Sequence, residues 1–250
     1  MNAPIVWPAT AHGAPLVQNE VHVWLADLGN GTECLERFTP VLSEDERERA
    51  ARFHFRRDAI RWAMSRVVLG SILGRYLCVE PRAVRFQSGP RGKPELAMLE
   101  EEHIQFNASR SDGLGLYAVA RTRRVGVDIE RVRPLPDFEP IARRMFSPHE
   151  QRILGALPRA ERPAAFFDCW TRKGAYIKAI GDGPAYPLER FSVSLSPDAR
   201  AKLEDVQDDP AEAGRWSLAA LAAAPGYAAA MAIEGPLPRL LCAQWQERAR

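Results

Sequence analysis

Residues 170–181, WTRKGAYIKAIG, read as the closing turns of an α-helix and its stop. The helix is predicted to run from Pro163 to Ile180, because Gly181-Asp182-Gly183 favours a left-handed cap over another turn. Gly174 lies inside it, where glycine costs about 1 kcal/mol relative to alanine. Gly174 and Lys178 are four apart and stack on one face, with Trp170 one turn earlier, while Lys173 points roughly 100° away. Lysine is scarce: of 34 basic residues only Lys93, Lys173, Lys178 and Lys202 are not arginine. A compact ammonium with a tunable proton affinity serves where a guanidinium cannot, so lysines clustered on one helix suggest such a task.

Working outward, VGVDIE (125–130) alternates as a strand and places Asp128 and Glu130 on one face. Between it and the helix, Ser147 and Glu150 have the spacing of a capping box, predicting a short helix to about Leu157. After the helix, FSVSL (191–195), RWSLAAL (215–221), GYAAAMAI (226–233) and LCAQW (241–245) read as an antiparallel strand set. Upstream, VHVWLADL (21–28) is the expected first strand, and Ser43 with Glu44 and Glu46 starts a short basic helix toward Phe55. Ile60, Met64, Val67, Val68, Ile72 and Tyr76 mark a long one-faced helix. Strands follow near 82–87, 103–107 and 114–120, with SGPRGKPE (88–95) as a loop. Residues 1–20 read as an irregular lead-in. Helix plus strands thus occurs twice, which predicts an α+β fold of two similar-sized halves, 1–123 and 124–250.

Composition sets the limits. With 250 residues, 46% hydrophobic, 26% charged and a net charge of +2, the chain reads as a soluble globular protein. That charge excludes bulk attraction to nucleic acid or membrane, so neither is an expected partner. The N-terminus MNAPIVWPATAHGAPLV has no basic residue before its apolar stretch and is broken by prolines, unlike a signal peptide. The apolar run 216–233 is split by Pro225-Gly226, so two strands explain it better than a membrane span. Cys34, Cys78, Cys169 and Cys242 are scattered, as reduced thiols of a cytoplasmic protein would be.

Two carboxylates on one strand face suit Mg²⁺, which takes one or two protein carboxylates and fills its shell with water and phosphate oxygens. Lys178 on a helix beside that strand would reach a phosphate shared with the metal. GKP (92–94) adds Lys93, and FNASRS (106–111) adds hydroxyls and a guanidinium, all good phosphate holders. Arg49, Arg52, Arg56, Arg57 and Arg61 crowd the early helices.

The order RFHFRRDAIR, GKP, FNASRS, VGVDIE, FSPHE and WTRKGAYIKAIG resembles that of 4′-phosphopantetheinyl transferases of the large, surfactin-synthetase-activating type, over roughly residues 20–235. The resemblance implies a monomer of two pseudo-symmetric halves with coenzyme A in the cleft between them. It implies transfer of the phosphopantetheine arm to a serine of an acyl or peptidyl carrier protein, releasing adenosine 3′,5′-bisphosphate. By position, Asp128 and Glu130 would hold Mg²⁺ and Lys178 would neutralise the leaving phosphate. Lys93, Ser109, Arg110 and Lys173 would line the coenzyme's phosphates, with Arg49 and Arg61 toward its 3′-phosphate. Glu150 stands where the family has a glutamate and is also a cap.

Two positions depart from the pattern. Arg110 stands where the family usually has histidine, keeping a cation without titration near neutral pH. Gly174 stands where the family has a glutamate that is a third metal ligand and candidate base. An active transferase relying on Asp128, Glu130 and Lys178 is one consequence; a binding protein of the same fold, holding coenzyme A or a carrier protein, is the other.

Overall fold

The computed structural model describes residues 7–8, 15–29, 39–89, 91–97, 104–134, 138–195 and 200–246. Cys34, His103 and most of the lead-in lie outside them. The first half contains β1 (Glu20–Asp27), α1 (Glu44–Ala51), α2 (Arg56–Leu77), β2 (Phe86–Ser88), β3 (Pro94–Leu96), β4 (Ile104–Ser111) and β5 (Leu114–Arg121). The second contains β6 (Val125–Arg131), α3 (Phe138–Met145), α4 (Pro148–Ala156), α5 (Arg162–Ile180), β7 (Phe191–Val193), β8 (Leu203–Val206), α6 (Glu212–Arg215), β9 (Trp216–Ala220) and β10 (Tyr227–Glu234). Last comes β11 (Arg239–Gln244).

The halves share a topology that no residue-level repeat announces. In each, a first strand is followed by a long helix, a small two-stranded hairpin and a larger hairpin whose last strand pairs antiparallel with the first. The orders are β1-β5-β4 and β6-β10-β9, with small hairpins β2-β3 and β7-β8. The fold is therefore α+β and pseudo-symmetric, as expected.

Period-two alternation assigns each strand face. Val21, Val23 and Leu25 of β1 pack against Val125, Val127 and Ile129 of β6, so the two sheets share one dry core. Trp24 and Tyr117 turn the other way to meet α2. Ala228, Ala230 and Ala232 of β10 face α5. Gly126 is the closest approach: a Cβ there would lie 2.2 Å from the Ala175 carbonyl oxygen and 2.4 Å from the Ala179 nitrogen. Only glycine lets α5 sit on β6 at this distance.

Both expected caps are present. Ser43 Oγ accepts from Glu46 N at 3.2 Å and Ser147 Oγ from Glu150 N at 3.2 Å, each returned by the glutamate carboxylate. Such caps stabilise a helix by about 1 kcal/mol. Gly181 ends α5 with φ of 81°.

The expected final strand set needs one correction. β11 leaves the second half and pairs parallel with β1, Val23 opposite Cys242, so the final strands are not one antiparallel set. The strand covers the edge of β1 that β5 leaves open, where unpaired backbone groups would otherwise need solvent. Two short strands also differ from expectation: 94–96, within the expected loop, pairs with 86–88, and 191–193 pairs with 203–206 rather than with the larger sheet.

Candidate active site

β4 and β6 run side by side at the junction of the halves, joined through side chains of β4. Asn107 Oδ1 accepts the Val127 amide at 3.0 Å. Two residues on, Ser109 Oγ donates to Asp128 Oδ1 at 2.8 Å; two further, Ser111 Oγ donates to Glu130 Oε2 at 2.6 Å and accepts the Arg131 amide at 3.0 Å. Strand alternation puts 107, 109 and 111 on one face of β4, and Asp128 and Glu130 on the face of β6 away from the dry core.

α5 supplies the cation. Lys178 Nζ lies 2.6 Å from Asp128 Oδ1 and 2.7 Å from Ser109 Oγ. The Lys178 side chain keeps 36% exposure and Asp128 6%, so the ammonium still meets solvent while the carboxylate is buried. Gly174, one turn earlier, faces the same carboxylate: a Cβ there would fall 2.4 Å from Asp128 Oδ2. The glycine thus makes room for Asp128 as it lies in this structure. Desolvation raises the pKa of Glu130, and neighbouring Asp128 pushes the same way; the Ser111 hydrogen bond and Lys178 oppose it.

Lys173 is placed elsewhere. Its ammonium lies 2.7 and 2.8 Å from the two oxygens of Glu150 and 2.6 Å from the Phe191 carbonyl, with 1% exposure against 0% for Glu150. All three donors are spent inside the second half, so none is left for a coenzyme phosphate. Glu150 also accepts the Val193 amide at 2.8 Å, tying α4, α5 and β7 together. This overturns the expectation of a phosphate-binding Lys173 and makes Glu150 more than a cap.

Lys93 borders a cavity of about 610 Å³ whose wall includes Arg91, Arg124, Phe106, Ile180 and Gly181, close beside Lys178 along α5. Its Nζ is 3.4 Å from the Ala179 carbonyl. Desolvation lowers its pKa to about 8, with Arg124 adding repulsion and Glu95 opposing both. Arg110 lies on the opposite side of β4 from Ser109; desolvation lowers its pKa, and Arg49 and Arg66 add like-charge repulsion. Arg49 stacks over Trp62 at 5.5 Å, and Arg61 pairs with Asp112 at 2.7 Å by the β4–β5 turn. Asp128, Glu130, Ser109 and Lys178 are therefore brought together, Lys93 lines the adjoining cavity, and Arg49 and Arg110 belong to a separate cationic cluster with Arg66. Arg66, Arg91 and Arg124 carried no sequence signal beyond their charge.

The donor set fits a small hard cation. Among the described residues Asp128 Oδ2 and Glu130 Oε1 accept no hydrogen bond, and no group of three or more histidine, cysteine or acidic side chains gathers to hold a metal. Two carboxylates are what Mg²⁺ uses when phosphate and water complete its shell. No helix among the described residues is long and apolar enough to cross a membrane.

Comparison with known proteins identifies the family. The pattern of the 4′-phosphopantetheinyl transferase superfamily matches residues 124–232, and that of the 4′-phosphopantetheinyl transferase N-terminal region matches 31–121. The chain is 40% identical to the 4′-phosphopantetheinyl transferase HetI of Nostoc sp. (strain PCC 7120) over 230 residues, 92% of this chain and 94% of that one. It is 33% identical to the 4′-phosphopantetheinyl transferase Sfp of Bacillus subtilis (strain 168) over 169 residues, 68% and 73% of the two chains. The Thermotoga maritima holo-[acyl-carrier-protein] synthase structure aligns with 44% of this chain and 62% of its own at a TM-score of 0.35 and 22% identity.

Proposed function

The chain belongs to the 4′-phosphopantetheinyl transferase superfamily, and on that premise we propose that it moves the phosphopantetheine arm of coenzyme A to a carrier-protein serine in a Mg²⁺-dependent reaction. The enzyme class, a phosphopantetheinyl transferase, follows from its relatives. The observation that carries the finer reading is the meeting of Lys178, Asp128 and Ser109 at the junction of the halves, beside the cationic cavity of Lys93.

In this reading the carrier serine loses its hydroxyl proton to solvent as its oxygen attacks the phosphorus that bears pantetheine. The bond from that phosphorus to the bridging oxygen breaks, and adenosine 3′,5′-bisphosphate departs. Such transfers need positioning and charge neutralisation more than covalent help. Asp128 and Glu130 would hold the metal, which when bound supplies neutralisation of the pyrophosphate oxygens. Lys178 trades its contact with Asp128 for the departing phosphate, whose negative charge grows as the bond breaks. Lys93 holds a phosphate at the cavity, and Arg49 and Arg110 offer cations to the 3′-phosphate.

Gly174 favours a second reading. With no side chain it supplies neither ligand nor base, and general-base help is worth about 10²–10⁴ in rate. A coenzyme A-binding protein that transfers poorly would have this site. Incubation with coenzyme A, Mg²⁺ and an apo carrier protein, followed by intact mass, separates the two. A carrier heavier by the phosphopantetheine arm is the expected result. An unmodified carrier, together with a melting temperature of this protein that still rises with coenzyme A, would select the binder.

A further inference from the structure

The two serines of β4 repeat one hydrogen-bond pattern on the two carboxylates of β6. Ser109 gives its proton to Asp128 and receives one from Lys178; Ser111 gives its proton to Glu130 and receives one from the Arg131 amide. Both pairs span 19 residues, so they are successive rungs of one ladder across the junction. A hydroxyl has one proton to donate, and Ser111 spends it on Glu130 while its oxygen is pinned by a backbone amide. A flexible glutamate is thereby held in one orientation by the opposite half of the molecule.

We propose that Ser111 is a positioning residue that presents Glu130 to the divalent cation, and that it does not hold a coenzyme phosphate. The inference rests on the metal reading of Asp128 and Glu130 given above. Hydrogen-bond partners behind metal ligands fix ligand orientation, and their loss typically costs 10–100-fold in metal affinity. A serine that instead held a phosphate would point its proton at the ligand, leaving Glu130 without a donor. Ser109 differs in one respect: its hydroxyl is shared with Lys178, so its removal would disturb the cation as well as the acid. Ser111 touches Glu130 without touching Lys178, which makes it the cleaner probe.

The test is calorimetry of Mg²⁺ titrated into protein saturated with coenzyme A, without carrier protein, after subtraction of Mg²⁺ titrated into coenzyme A. Coenzyme A affinity is measured separately in chelator. Ser111→Ala is expected to weaken Mg²⁺ binding at least tenfold and to leave coenzyme A affinity in chelator unchanged. Ser111→Thr, which keeps the donor, should lie within threefold of the unaltered protein. Ser111→Cys keeps the volume with a weak donor and should follow alanine, covering the case in which alanine fails to fold. Glu130→Gln serves as the control for the metal reading. If Glu130→Gln loses Mg²⁺ while the alanine or cysteine variant binds it normally, positioning by Ser111 is wrong and the metal reading stands. If Ser111→Ala weakens coenzyme A in chelator and spares the Mg²⁺ step, Ser111 is a phosphate holder and the proposal falls. If the unaltered protein takes up no Mg²⁺, both fall together.

Discussion

The two halves share an order of strands and helices, yet they separate helix from sheet by different means. In the first half Trp24 and Tyr117, both fully buried, fill the space beneath α2, and the Tyr117 hydroxyl donates to the Ser65 carbonyl at 3.2 Å. In the second half the corresponding layer is made of Gly126, Gly174 and the alanines of β10, and the backbone of α5 rests on β6. Large spacers make a stable support; small residues bring a helix-borne lysine within 2.6 Å of a strand-borne carboxylate. In the proposed reading the chemistry belongs to the half that gave up its spacers, and the other half contributes hydroxyls across the junction.

Four substitutions in the second half and two in the first test that contrast. The largest effect is expected from Asp128→Ala, which should lower transfer to a carrier protein by about 10³, the scale of losing a preorganised charge interaction. Transfer equal to the unaltered enzyme would remove this carboxylate from the chemistry and dissolve the contrast. Next is Lys173→Met, which leaves the Glu150 carboxylate buried without its counter-charge; denaturant unfolding should show a loss of about 3–5 kcal/mol. A loss below 1 kcal/mol would mean that the pair does not hold α4, α5 and β7 together.

Gly174 sharpens the comparison at a smaller scale. Alanine normally stabilises a helix by about 1 kcal/mol over glycine, but its Cβ would fall on Asp128 Oδ2. Gly174→Ala should therefore lower transfer by about tenfold, a 1.4 kcal/mol effect. Gly174→Glu displaces Asp128 equally but adds a carboxylate, and should transfer at least tenfold faster than the alanine variant. Equal rates for the two would show that position 174 has no use for an acid.

Lys93 offers a pH test. With its pKa lowered to about 8 by burial, it loses charge above that pH. Coenzyme A affinity should weaken as pH rises from 8 to 9.5, and Lys93→Arg should flatten the profile. Stability of the free protein runs the opposite way: between about 8 and the unfolded lysine value near 10.4 the unfolded chain binds more protons, so Lys93 makes folding more favourable as pH rises. A profile for Lys93→Arg that still bends at pH 8 would assign the titration elsewhere. The smallest effect is expected in the first half, where Tyr117→Phe removes one buried hydrogen bond: a cost of about 1 kcal/mol with transfer unchanged. A large fall in transfer there would break the division between support and chemistry.

Much of the site could be read along the chain. Asp128 and Glu130 share a face because a strand alternates, Gly181 ends a helix because only glycine adopts its φ at no cost, and Ser147 with Glu150 announces a cap. Lys178 could be placed on the helix face of Gly174 from spacing alone. Lys173 could not be interpreted in the same way: helical geometry gave its direction, but the buried Glu150 waiting there belongs to another helix. Ser111 had a legible face and an illegible partner.

What the sequence determined by itself is local: the elements, their caps, the alternation that sorts each strand into two faces, and the glycine inside the lysine-bearing helix. Those follow from backbone geometry and from neighbours a few residues away. The tertiary structure alone decided which half β11 completes, that Lys173 is an internal counter-ion, and that the acids of one half are oriented by serines of the other. Each of these is a contact between residues distant along the chain, set by packing that no local pattern encodes.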